Sequence, residues 1–169
     1  MDEIEKLLQS GKYPSRQPAE NLADLSAQVA SLRLGLDAMK ELIQTYGHQE
    51  ITDQISDMSK VSNASCEEFF QKCGDVTTQA EQFLDDGDRL SLLLGIKNGR
   101  AKFNFSGTSL VRKDGLNATL AIVTSAVCYC MRVLIARELP LNEGLMGPVD
   151  ILVPAGCLLN PTFPDKLSD

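Results

Sequence analysis

Leu22, Leu25, Val29, Leu32, Leu36, Met39 and Ile43 stand alternately three and four residues apart. Only a helix brings such positions onto one side, because three and four residues bracket its turn. The spacing therefore predicts a helix over 21–46, about seven turns long. Asn21 offers an N-cap side chain, and Gly47 stands where a left-handed stop residue would sit. A stripe of this length needs a partner. The next segment, His48 to Cys73, carries Ile51, Ile55, Met58, Ser62, Ser65 or Cys66, and Phe69 near one face, with Thr52 or Asp53 placed to help cap it. Gly47 between the two segments predicts a tight, antiparallel helical hairpin. A homotypic coiled coil is the alternative, over only about three heptads. Upstream, Ile4, Leu7 and Leu8 predict a short helix or a frayed end, and Pro14 and Pro18 an extended linker.

The stretch Gly74 to Asp88 is polar and breaks the helical pattern. Beyond it the period changes to two. Leu90, Leu92 and Leu94 alternate on one side of Asn98-Gly99, and Ala101, Phe103 and Phe105 on the other. Asn-Gly between alternating runs predicts a β-hairpin, since a type I′ turn needs positive φ at both central residues. Ser106-Gly107-Thr108 ends the second strand, and Arg112 to Asn117 is a polar loop. Ala118 to Arg137 reads as a third helix, with Leu120, Val123, Val127, Cys130 and Leu134 on one stripe. Further apolar residues off that stripe predict that it is largely buried. Val149, Ile151 and Val153 alternate as a short strand, and Pro154 to Pro164 is a proline-punctuated tail. The fold class that follows is α+β: a long N-terminal helical hairpin, then a β-hairpin, a buried helix and a further strand forming a small sheet. The predicted divisions are an extension and linker at 1–19, the helical hairpin at 20–74 and an α+β portion at 75–169.

Hydrophobic residues make up 43% and charged residues 23%, which excludes a disordered chain. The net charge of −7 repels phosphate backbones and excludes nucleic acid as a partner. The longest apolar region, Leu120 to Ile135, is interrupted by Thr124, Ser125 and Arg132, short of the roughly 20 apolar residues that span a bilayer. With an acidic start, Met-Asp-Glu-Ile-Glu-Lys, the chain reads as cytoplasmic, with no membrane partner.

Cys66, Cys73, Cys128, Cys130 and Cys157 are odd in number and lack CxxC spacing. They read as reduced, buried small hydrophobes rather than metal ligands. His48 is the only histidine and is expected on the surface at a helix boundary. No metal ligands and no catalytic residue are assignable. Asp85, Asp86 and Asp88 lack EF-hand spacing and read as a solvated turn. The candidate binding residues are Ser106, Gly107 and Thr108, Asn117 in the polar loop, and Asn142 and Glu143. Backbone amides at Ser106-Gly107-Thr108 suit an anion, but no phosphate-loop Lys-Ser/Thr pair follows and a strand-exit turn explains them too. Asn142 and Glu143 suit the lining of a site, or a capped loop satisfying its own polar groups.

Several of these stretches, in this order, resemble the hydantoinase B / 5-oxoprolinase family. Glu138-Leu139-Pro140-Leu141-Asn142-Glu143-Gly144 followed by Pro148-Val149 resembles its "PLNEG…PV" stretch. Val153-Pro154-Ala155-Gly156-Cys157-Leu158-Leu159-Asn160-Pro161 resembles "P-x-G-S-x-LNP", and Phe103 to Ser109 resembles a "DFSGTS" strand end. Upstream, a long helix with a "DLxAQxA" pattern and Leu84-Asp85-Asp86 before the hairpin extend the likeness over 20–165. Asn104 stands where the family commonly has Asp, and Cys157 where it commonly has Ser. The resemblance implies ATP-dependent opening of a cyclic amide, a hydantoin or 5-oxoproline. A ketone carboxylase component, or a non-catalytic scaffold derived from the fold, are the alternatives. It further implies that ATP use belongs to an A-type partner and that no cofactor is held in this chain. ATP and a divalent metal are expected in the complete complex. The B-type chain is normally several times longer, and its His- and Asp-containing segments have no counterpart here. The expectation is a partial subunit in a hetero-oligomer with an A-type subunit or the remaining B-type portion, and an exposed apolar face where the rest docks.

Overall fold

The computed structural model describes residues 2–140 and 142–162. Leu141 of the "PLNEG" loop and Pro164 of the tail lie outside the described residues. The chain divides into two units, Met1–Gln54 and Ile55–Asp169.

In the first unit, α1 (Asp2–Ser10) is helical rather than frayed. Helix α2 (Pro18–Tyr46) begins three residues before the expected start. Pro18 opens it because a first-turn N–H needs no helical acceptor. Asn21 is not the cap. Its amide instead donates to Ser15 Oγ at 2.6 Å, and Gln17 precedes the helix without a side-chain cap. Gly47 has the expected positive φ, 85°, but its ψ of 151° is not left-handed helical, and its N–H donates to Ile43 O at 2.8 Å. α2 buries no residue. Along its stripe Leu25, Val29, Leu32, Leu36 and Met39 are exposed.

Helix α3 (His48–Cys73) starts at His48, which is exposed, as the sequence predicts. Neither Thr52 nor Asp53 caps it. Thr52 Oγ1 donates to His48 O at 2.9 Å, and Asp53 Oδ1 accepts from Gln49 at 3.0 Å. Within the second unit its buried residues are Ser62, Cys66 and Phe70. That stripe steps by four and lies one residue round from the expected Phe69.

The sheet has the strand order β1-β2-β3-β4. β1 (Val76–Phe83) falls inside the stretch read as a polar break. It is an edge strand exposed along its whole length, so no apolar alternation marks it. It pairs antiparallel with β2 (Arg89–Lys97), from Val76 opposite Ile96 to Phe83 opposite Arg89. β2 and β3 (Arg100–Asn104) form the predicted hairpin, with φ of 50° at Asn98 and 73° at Gly99. β4 (Val149–Leu152) runs parallel to β3. A parallel neighbour needs a crossover, and α4 (Leu120–Ile135) lies in that connection.

Thr119 caps α4 by accepting from the Ile122 N–H. The helix is not largely buried, contrary to the expectation from its sequence. Val123, Val127 and Met131 turn inward at steps of four, while Leu120, Cys130 and Leu134 are exposed. α4 is apolar on its outer face as well, at Ile122, Tyr129 and Val133, so periodicity alone does not select the inner one. Cys66 and Phe70 from α3, Ile96, Ala101, Phe103 and Val149 from the sheet, and Val127 and Met131 from α4 form one core. No helix among the described residues is long and apolar enough to cross a membrane.

Gly99 gives a direct check on the hairpin. An added Cβ would meet Gln71 Cγ at 3.1 Å, on a backbone already at positive φ. Gly99→Ala is expected to lower stability by about 1–2 kcal/mol, read as an earlier midpoint in urea unfolding. No change in midpoint would contradict the type I′ assignment.

Candidate functional site

The six candidate residues fall into two places. Ser106, Gly107 and Thr108 form the exit turn of β3. Asn104 Oδ1 accepts from the Ser106 N–H at 2.9 Å, so the side-chain oxygen that an aspartate would also supply is used here. The Thr108 N–H donates to Phe105 O at 3.2 Å, and Thr108 Oγ1 accepts from the Ser91 N–H at 3.2 Å. Gly107, at φ 94°, turns its carbonyl to Arg89 Nε at 2.9 Å. The Ser106 and Thr108 amides are thus engaged within the chain.

The two motif stretches meet just beyond this turn. Leu158 N donates to Ser109 O at 3.0 Å, and Val111 N to Gly156 O at 3.0 Å. Cys157 sits between them, buried at the departure from the family's serine. Asn117 closes the following loop, with Oδ1 accepting from Arg112 N at 2.8 Å and Nδ2 donating to Arg112 O at 2.9 Å.

Arg112 itself gathers the nearby acids. Its guanidinium reaches Asp88 Oδ2 at 2.5 Å, Asp114 Oδ2 at 2.5 Å and also Asp86, and its side chain is only 11% exposed. Two of the three aspartates in the acidic turn are therefore ion-paired rather than free for a cation. Hydrogen bonding from Arg112 holds the Asp114 carboxyl down at about 2 and Asp86 below its ordinary value. On the surface of α3, hydrogen bonds from Arg137 and then Lys72 likewise hold Glu68 at about 2. A carboxylate depressed in the folded state stabilises above its unfolded pKa, about 4, and loses that contribution as pH falls through the folded value. The thermal midpoint should therefore drop between about pH 4 and pH 2. Arg112→Gln should flatten that drop, and an unchanged slope in the variant would remove Arg112 as its source.

Asn142 and Glu143 lie elsewhere, where the short 3-10 helix Glu143–Met146 meets α3 and α4. Asn142 Oδ1 caps this turn by accepting from Gly144 N at 2.8 Å. Its Nδ2 donates to Ser62 Oγ at 3.0 Å, and to Met58 O and Pro140 O at 3.3 Å each. Asn142 therefore ties the "PLNEG" loop to α3. Glu143 faces a cleft of about 430 Å³ lined by Thr124, Ser125, Cys128, Tyr129, Arg132, Asn142 and Met146. That volume lies within the range of small-ligand pockets. Arg132 and the two hydroxyl residues were the only polar interruptions of an apolar run, and that was the available signal for this cleft. Arg112 gave no such signal, because its partners Asp86 and Asp88 are more than twenty residues away.

All five cysteines are free, and Cys66 and Cys157 are buried while Cys73 and Cys130 are exposed. Burial, aided by Glu67 and Cys128, pushes the Cys66 thiol up to about 11, which leaves it protonated and inert as a nucleophile at neutral pH. No group of three or more His, Cys, Asp or Glu able to hold a metal exists among the described residues. Their donor set does not fit the divalent metal that the resemblance implies.

An α+β unit with a parallel crossover, its β3 exit turn stitched to a proline-punctuated tail and its Asn-Glu-Gly loop pinned to a helix, defines the class. The chain belongs to the Hydantoinase B/oxoprolinase family, whose model matches residues 2–168. It is 34% identical over 164 residues to 5-oxoprolinase 1 of Arabidopsis thaliana, covering 88% of this chain and 13% of that protein. It is 35% identical to the 5-oxoprolinase of Saccharomyces cerevisiae, covering 89% of this chain and 12% of the relative. An uncharacterized protein of Methanocaldococcus jannaschii is 30% identical, with 90% of this chain and 28% of the relative covered. In fold, the crystal structure of the ATP-dependent caprolactamase from Pseudomonas jessenii is similar, with a TM-score of 0.79 and 21% identity. The likeness covers 97% of this chain and 29% of that one. The chain thus spans about an eighth of the 5-oxoprolinases it matches.

Proposed function

We propose that this chain is a framework segment of the B-type subunit of an ATP-dependent cyclic-amide hydrolase that opens a hydantoin or 5-oxoproline ring. It works only together with an A-type subunit or the remaining portion of the B-type chain. The observation that carries this reading is the family match over 2–168, set against the small share of each relative that the chain spans. The apolar outer face of α4, with Tyr129 at 70% exposure, supports it, because such a face is stable in water only at a cost that docking removes. ATP and the divalent metal belong to the other polypeptide in this proposal. The five free cysteines support a reducing, cytoplasmic setting.

The test is co-expression with an A-type subunit and with the remaining segments of a B-type chain, followed by pull-down and an ATP-hydrolysis assay on hydantoin and 5-oxoproline. Substrate-dependent ATP use by the complex, with none by the isolated chain, is the expected result. Turnover of either ring by the isolated, metal-supplemented chain would overturn it.

A further inference from the structure

Within its own unit α2 presents a helical seam with no buried residue. Leu32 is 74% exposed, Leu36 56% and Val29 47%. From Leu22 to Ile43 the seam is about 32 Å long, enough for about three heptads of a second helix. Its borders are uneven. Arg33 and Lys40 lie along one edge of the seam, and Gln28 and Gly35 along the other, while Asp24, Asp37 and Glu41 lie further round the helix. Lys40 pairs with Asp37 at 3.1 Å, but both side chains are mostly exposed, so a partner can compete for the cation.

Gly35 is the second observation. A glycine inside a helix costs about 1 kcal/mol relative to alanine, and an added Cβ at Gly35 would have no atom within 4 Å. Nothing in its own unit uses the missing side chain. A second helix approaching along the Gln28–Gly35 edge would use it, because glycine lets another backbone come close.

We infer that α2 is a docking helix for an amphipathic helix of another polypeptide whose apolar seam is flanked by carboxylates. A second copy of α2 is the poorer occupant. Paired antiparallel about its midpoint, it sets Arg33 against Arg33. Paired parallel, it sets Arg33 against Gln28 and Lys40 against Gly35. Neither arrangement gains an opposite-charge pair, whereas acid-flanked helices gain two. This inference stands on α2 alone and does not depend on the substrate class proposed above.

The experiment titrates the full chain with two synthetic three-heptad peptides that share a leucine seam. One carries Glu and the other Lys at the flanking positions, and binding is read by fluorescence anisotropy. The Glu peptide should bind one to one, at least about tenfold more tightly than the Lys peptide, and weaken with salt. The double variant Arg33→Glu, Lys40→Glu should reverse that preference. Gly35→Gln should melt no earlier than the parent chain yet lose about tenfold or more in affinity, which separates docking from folding. Equal affinity for both peptides, or no binding, overturns the inference. So does self-association of the chain that Leu32→Glu abolishes, since that would make a second copy the occupant.

Discussion

Replacing Gly144 with alanine is expected to cost about 3 kcal/mol or more, a large effect for one methyl group. Gly144 does not have a positive φ, so backbone strain is not the reason. The reason is close approach. The new Cβ would lie against the carbonyl oxygen of Ser59, 2.8 Å from its carbonyl carbon and 2.8 Å from Asn142 Oδ1. The first two atoms belong to the backbone of α3, which cannot rotate away. The 3-10 helix must then lift from α3, which exposes Leu145, fully buried in the native chain, and breaks the bonds from Asn142 to Met58 and Ser62. Gly147 is the control. A Cβ there meets the far end of the Asn63 side chain, which can swing aside, and lies 3.3 Å from Gly144 O; Gly147 is right-handed helical just before Pro148, where a side chain adds a smaller penalty. Gly147→Ala should therefore cost about 1–2 kcal/mol, clearly less than Gly144→Ala. Urea unfolding of the two variants side by side decides the matter. If both unfold at the same urea concentration, close packing of the loop on α3 is not what Gly144 provides.

This contrast shows what the sequence could and could not disclose. The "PLNEG" stretch was legible as a motif, and Asn142 as a loop residue able to satisfy its own polar groups. The need for glycine at 144 comes from Ser59, far away in the chain, and no local pattern encodes it. The β2–β3 hairpin was legible because Asn98-Gly99 is a local conformational requirement. β1 was not, because an exposed edge strand such as Val-Thr-Thr-Gln-Ala-Glu-Gln-Phe needs no apolar face to pair through its backbone. Its hydrogen bonds to β2 hold it there, and those carry no side-chain signature. α4 departs from its sequence pattern in the opposite way. It has apolar residues on both faces, and the inner one is set by where Phe103 and Phe70 lie. The candidate residues divide along the same line. Asn117 and Thr108 act within their own neighbourhoods, at Arg112 and Ser91, whereas the cleft at Glu143 is made by α4 and a loop that only the fold brings together.

The same logic separates two adjacent phenylalanines on α3. Periodicity favours Phe69 as the core residue, but the structure places Phe70 inward at 1% exposure, in one cluster with Ile96, Phe103 and Met131. Phe69 is partly buried and packs against that cluster from outside, its ring edge-on to Phe70 with centroids 5.6 Å apart. Phe70→Ala therefore removes the side chain that joins α3 to the sheet and should cost about 3–5 kcal/mol. Phe69→Ala loses the ring pair and part of its apolar contact, so about 1–2 kcal/mol is expected. The chain has no tryptophan, so far-UV circular dichroism in urea is the suitable readout. Amide hydrogen exchange adds the location, since Phe70→Ala should speed exchange in β2 and β3 while α1 and α2 stay as they were. A larger loss for Phe69→Ala than for Phe70→Ala would mean that α3 is rotated by one residue about its axis, and with it the whole seating of the helix on the sheet.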